Sequence, residues 1–147
     1  EPWLEKRLRK SDRLANAHTL ITIDLLKDLS ALVMRNTGQE YKTVLGDFSS
    51  AQGELRLLNV TAGIGGKSYM NYNKVPAKLS EFCIGLNKVR ENYTSKSVAQ
   101  LYEISFDAHF HLVTIHPWRM ATAEWLACWW ICCNLSSGWS RQKSQRR

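Results

Sequence analysis

The side chains able to do chemistry in this chain of 147 residues are four histidines, four cysteines and a lysine set behind a pair of glycines. Imidazole trades a proton near neutral pH or ligates a metal, so each histidine is weighed first. His18, His109 and His111 fall in helical runs and read as packing or surface residues. His116 stands apart, because it closes such a run in the string IHPW, directly before Pro117. Cys128 and Cys132 are spaced to share a helix face, with Cys133 beside them. Structural zinc asks for four ligands, usually as two separated pairs, and the fourth cysteine is the distant Cys83. We therefore expect no metal site, and no structural disulfide in a reducing compartment. The string GGKS at residues 65–68 invites a phosphate-loop reading, but GxxxxGK[ST] requires glycine at position 61 and Thr61 stands there.

The elements that must position these groups follow from periodicity. Leu14, Ala17, Ile21, Leu25, Leu29 and Leu32 keep helical spacing and predict a helix from about 12 to 35, with Ser11 or Asp12 as its cap. The stretch RNTGQEYKTVLGDFSSAQGE then loses the period and gains Gly, Ser and Asn, which predicts a long loop. In LRLLNVTAGIGGKSYMNY, β-branched and aromatic residues flank glycines, so a β-hairpin or flap is expected around Gly63–Gly66. Helical spacing resumes at Leu79, Phe82, Cys83, Leu86 and Val89, with Asn73 as candidate cap and Pro76 in the first turn. A last run through Leu101, Ile104, Ala108, Leu112 and Ile115 should stop before Pro117, leaving His116 at a helix C-terminus.

The totals describe one globular domain, with 44% apolar and 22% charged residues, and the helical runs on either side of the flap make it mainly α. A net charge of +7 suggests nucleic acid, yet the excess is unevenly placed. Residues 1–118 hold 15 basic and 12 acidic side chains, net +3, while residues 119–147 hold five and one, net +4. A surplus carried by a short tail is not a basic stripe with base-reading residues, so no nucleic-acid partner is expected. The opening EPWLEKRLRK lacks the apolar core of a secretory signal, and the run from Trp125 to Cys133 is far short of the roughly 20 residues of a membrane span. The expectation is a cytoplasmic protein without a membrane partner.

The string AHFHLVTIHPW, residues 108–118, resembles the helix leading into the signature of the Fic family, AxxHxxxxxIHPF followed by xDGNGR. His109 falls seven residues before His116 as in that pattern, and Trp118 replaces the usual Phe. Upstream, GELRLLNVTAGIGGKSYMNYNKVPAKLSEFCIGLN is similar to the family's flap segment, in which an Arg-containing strand and a glycine-bearing hairpin lead to VP and a helix. The resemblance covers about residues 14–118 and then stops. Where the family has xDGNGR, this chain has Arg119, Met120, Ala121, Thr122, Ala123 and Glu124.

A dropped nucleotide accounts for the break. One G inserted after the Trp118 codon, with permitted codon choices, turns the tail into ADGNGRMARLLVDMLQLEFGLVPAKVSKE and completes HPWADGNGR. Part of this is forced by the code: Met120–Ala121 can give only Gly, Cys128–Trp129 only Leu, Trp129–Trp130 only Val and Trp130–Ile131 only Asp. Codons for Leu, Val and Met become Trp and Cys one base out of step. Three of the six tryptophans and three of the four cysteines lie between Trp125 and Cys133. A genuinely divergent C-terminus is the alternative, and it leaves that clustering unexplained.

The resemblance implies a Fic-type helical bundle with a β-hairpin flap at about 55–72, spanning residues 1–118 as a partial domain, and an aberrant tail over 119–147. Its implied activity is transfer of AMP from ATP, with Mg²⁺, to a Ser, Thr or Tyr hydroxyl of a target protein. His116 would be the general base, and Ala62, Gly63 and Ile64 would align the target backbone along the flap edge, for which a plain turn is the bland alternative. In the family an acidic residue holds Mg²⁺, glycine amides cradle phosphate and an Arg pairs with it. None of these nucleotide-binding residues is retained, so the chain is expected to be inactive or nearly so. Arg119 is a cation at the wrong spacing. The family's inhibitory string [ST]xxxE[GN] is absent; Ser50 to Glu54 has the spacing but Leu55 follows. A noncatalytic protein-binding module that keeps flap and helical groove is the second expectation.

Overall fold

The computed structural model describes residues 20–92 and 95–119. Three helices dominate: α1 over Ile23–Met34, α2 over Val75–Glu91 and α3 over Val98–Ile115. Between α1 and α2 lie two short antiparallel strands, β1 over Glu40–Thr43 and β2 over Gly46–Ser49, and a single 3₁₀ turn over Tyr72–Lys74. The described part is thus mainly helical with one small hairpin. No helix among the described residues is long and apolar enough to cross a membrane.

The expected helix from about 12 to 35 is shorter than its periodicity. Residues 20–22 are extended, and α1 starts at Ile23 under a Thr22 cap whose hydroxyl accepts from the Leu25 amide. The reason is tertiary: the Asn87 side chain of α2 accepts from the Ile21 N–H and donates to the Ile21 carbonyl, both at 2.8 Å. That two-point grip satisfies an extended peptide a helix would have satisfied internally. Ser11, Asp12 and His18 lie outside the described residues.

The stretch expected to be a long loop contains the hairpin. Tyr41 pairs with Phe48 across it and their rings stack at 4.8 Å, while the Thr43 hydroxyl donates to the Gly46 carbonyl at 2.6 Å and accepts from the Leu45 amide. Gly46 sits at φ +130°, which admits the tight reversal through Val44 and Leu45. A cross-strand aromatic pair and a side-chain-closed turn outweigh the polar composition.

α2 and α3 follow the sequence more closely. Pro76 occupies the first turn of α2, where its missing N–H costs nothing. Asn73 is not the cap; the preceding Asn71 accepts from the Asn73 amide and caps the 3₁₀ turn instead. Leu79, Cys83 and Leu86 are buried, while Phe82 and Val89 are half-buried. α3 opens with a capping box, Ser97 accepting from the Gln100 amide and the Gln100 side chain accepting from the Ser97 amide. Its Leu112 meets Leu26 of α1 and Leu79 of α2 in one core, all three inaccessible to solvent. Each such leucine contributes about 1.5–3 kcal/mol of burial.

Candidate functional site

His116 is the residue at which α3 ends. Its backbone is left-handed, φ +49° and ψ 64°, and its N–H still bonds the Leu112 carbonyl. It is the one described non-glycine residue at positive φ. Pro117 explains the helix stop, since the residue before proline is pushed out of the right-handed helical region. A left-handed histidine costs on the order of 1 kcal/mol and persists only when its surroundings hold it there.

Arg56 supplies that hold. It is 1% exposed, and its Nε donates to the His116 carbonyl at 2.7 Å. Nη1 donates to the Leu58 carbonyl at 2.7 Å, and Nη2 donates to the carbonyls of Met70 and Ile115. The Arg56 amide also donates to the Pro117 carbonyl at 3.1 Å. One guanidinium therefore ties both feet of the flap, Leu58 and Met70, to the last carbonyls of α3. Those carbonyls carry the negative end of the helix dipole, which is why a buried cation is tolerated among backbone oxygens.

Trp118 completes the frame. Its ring is 1% exposed and its indole N–H donates to the Gly53 carbonyl at 3.0 Å. A residue that is large and apolar with a polar tip fills the site and anchors the chain after the imidazole. The usual Phe of the resembling family has no such donor.

The flap rises from this base. Val60 and Tyr69 are joined by the Tyr69 amide donating to the Val60 carbonyl at 3.0 Å, and Ala62 donates to the Lys67 carbonyl at 3.1 Å. Thr61 and Ser68 form an isolated antiparallel bridge, so the reversal is hairpin-like yet too short to make a strand pair. Gly63 and Gly65 both lie near φ +70°, where a side chain would be strained. Residues 61–68 are all exposed, and Ile64 projects fully into solvent. Ala62, Gly63 and Ile64 thus form the open tip.

Tyr69 brings flap and imidazole together. Its ring stacks on His116 with centroids 4.0 Å apart and planes within 11° of parallel. His116 is 6% exposed beneath it. The Tyr69 ring thus covers one face of the imidazole. Sequence reasoning singled out His116 and the flap tip but not Tyr69 or the role of Arg56. The available signal was an arginine embedded in the apolar run LRLL.

The remaining expectations separate cleanly. His111 is exposed with Nδ1 2.8 Å from the Asp107 carbonyl, and His109 is half-buried on the same helix. Cys83 is a free, buried thiol whose pKa desolvation raises to about 11. Ser50 to Glu54 lies in a turn after β2, not a helix, and Glu54 accepts from the Ser49 amide. Arg119 is exposed, its guanidinium 5.6 Å from the Tyr41 ring centroid. No group of three or more His, Cys, Asp or Glu among the described residues is placed to hold a metal ion. Cys128, Cys132, Cys133 and Glu124 lie outside the described residues. No family model, curated protein or solved structure matches the chain.

Proposed function

We propose that this chain is a Fic-type domain that retains the target-binding half of a protein AMP transferase and lacks the nucleotide-binding half. The observation that carries the reading is the stacked pair of Tyr69 and His116, with Arg56 bonding both flap feet and the end of α3. It supports a target chain held along the flap, with its hydroxyl delivered to the His116 imidazole as general base. The open edge near Ala62, Gly63 and Ile64 suits main-chain pairing with an extended segment.

The residues that follow Trp118 do not fit ATP and Mg²⁺. Arg119, Met120, Ala121, Thr122, Ala123 and Glu124 provide neither glycine amides nor an acidic residue next to the loop, and Arg119 lies against Tyr41. On this reading the chain is inactive or nearly so. A noncatalytic protein-binding module is the second reading, favoured by the burial of His116 beside a fully exposed flap tip.

The test is transfer of label from α-labelled ATP with Mg²⁺ to added acceptor proteins. The chain should give nothing above its His116→Ala variant, and the version with one G restored after the Trp118 codon should give transfer that depends on His116. Robust transfer by the chain as written would refute its inactivity. A restored chain that transfers equally well with His116→Ala would refute the role given to the imidazole.

A further inference from the structure

α2 and α3 diverge to leave a trough of about 550 Å³ whose floor is apolar, with Phe82, Leu86, Ile104 and Ala108 along it. It runs from Lys78 to Val89 on α2 and from Ile104 to Ile115 on α3, about 16 Å on each helix. Two observations say that something fits it. Gly85 lies in the middle of α2 facing the trough, and a Cβ built there meets nothing within 4 Å. A mid-helix glycine weakens the helix relative to alanine, and no packing within the described fold requires it. Close approach by another backbone would.

The second observation is charge. Lys78 and Glu81 neutralise each other at 2.6 Å on the rim, which leaves Asp107 as the lining carboxylate without an ion pair among the described residues, with the exposed His111 one turn further along α3. The trough also reaches the site, since Met70 and Ile115 line it and their carbonyls are those that Arg56 grips.

We infer that the trough between α2 and α3 is a docking groove for an amphipathic, cation-flanked helix of the target protein. Its length equals three helical turns, the span over which anchors at i, i+3 or i+4, and i+7 seat in a groove. A compact small molecule would be enclosed on most sides, whereas this trough is open along its length. The occupant's small residue crosses at Gly85 and its Lys or Arg meets Asp107. The inference rests on the reading of the chain as a module that engages a target protein, and it extends the contact beyond the flap.

The test uses the full chain and two fluorescein-labelled helical peptides of about 15 residues with the same Leu/Ala seam, one flanked by Lys and one by Glu. Anisotropy should show the Lys peptide binding at least tenfold more tightly. Gly85→Leu should weaken it at least tenfold, and Asp107→Asn should weaken it and flatten its salt dependence. Gly85→Ala should raise the urea midpoint, which reports on the fold separately. Amide shifts in the unmodified chain should centre on Phe82, Gly85 and Ile104. Equal binding of the two peptides, full binding by Gly85→Leu, or shifts confined to the flap or to Tyr102 and Phe106 would overturn the groove. So would a change of oligomeric state on Gly85→Leu, which would assign the face to a second copy. None of these outcomes touches the role of His116, and loss of His116-dependent transfer in the restored chain leaves the groove standing.

Discussion

Replacing Arg56 should be the most damaging single change among the polar residues of this domain. Arg56→Ala removes a side chain that is 1% exposed and donates to four carbonyls, those of Leu58, Met70, Ile115 and His116. Each hydrogen bond from a charged donor is nominally about 1.5–3 kcal/mol, and each oxygen left dry costs about 1–3. The four losses do not add, because the cavity admits water and the flap feet can relax, so the net cost is about 3–5 kcal/mol. Against a total stability of roughly 5–15 kcal/mol that is a large share. Urea unfolding followed by far-UV circular dichroism gives the number. With a slope of about 1–3 kcal/mol/M the midpoint should fall by at least about 1 M. Arg56→Lys keeps the charge but loses the planar fork, so it should sit between the parent and Arg56→Ala. A cost below about 1 kcal/mol for Arg56→Ala would refute the argument that this guanidinium joins the flap to the end of α3.

Two further outcomes follow from side chains already placed. Tyr69→Ala should speed modification of His116 by diethylpyrocarbonate several-fold, read by peptide mass mapping, while Tyr69→Phe keeps the stacked ring and the parent rate; equal rates in all three proteins would show that the ring is no cover. Cys83 has its pKa raised from 9.0 to about 11 by burial, so the folded state prefers the neutral thiol. Its contribution is whole below pH 9 and declines as pH climbs from 9 through 11, where only the unfolded thiol ionises. Urea midpoints across that window should therefore drop, and Cys83→Ala should flatten the drop while lowering stability below pH 9; an unchanged slope would remove the thiol from the account.

What could be read from the sequence was whatever a local rule decides. Pro117 after a helical run fixes the end of α3, and Pro76 marks the first turn of α2. The alternation of apolar residues finds the buried faces of both. What escaped was decided at a distance. The start of α1 at Ile23 depends on Asn87, which grips Ile21 from 66 positions away. The β1–β2 hairpin depends on a Tyr41–Phe48 stack that a strand-length window sees as unrelated residues in a Gly- and Ser-rich stretch. Tyr69 was one of two tyrosines in the flap stretch, and only the return of the chain beside α3 sets it on His116.

On the proposed Fic-type reading, the placement of the imidazole has a physical consequence for a chain without the family's phosphate loop. Among the described residues, His116 is held by the Arg56 bonds, the Tyr69 stack, the Leu112 carbonyl, and Trp118 anchored on Gly53. None of these bonds runs through a residue beyond Trp118. Preorganisation of the base and of the flap therefore draws on one set of interactions, and preorganisation of the anion cradle would draw on another. The proposed break in the reading frame at the Trp118 codon would cut between them. It follows that restoring the frame should act by supplying phosphate contacts, with the modification rate of His116 by diethylpyrocarbonate unchanged in the absence of ATP. A restored chain in which that rate shifts markedly without nucleotide would mean that the two halves are coupled, and that the tail as written displaces the base it was taken to leave alone.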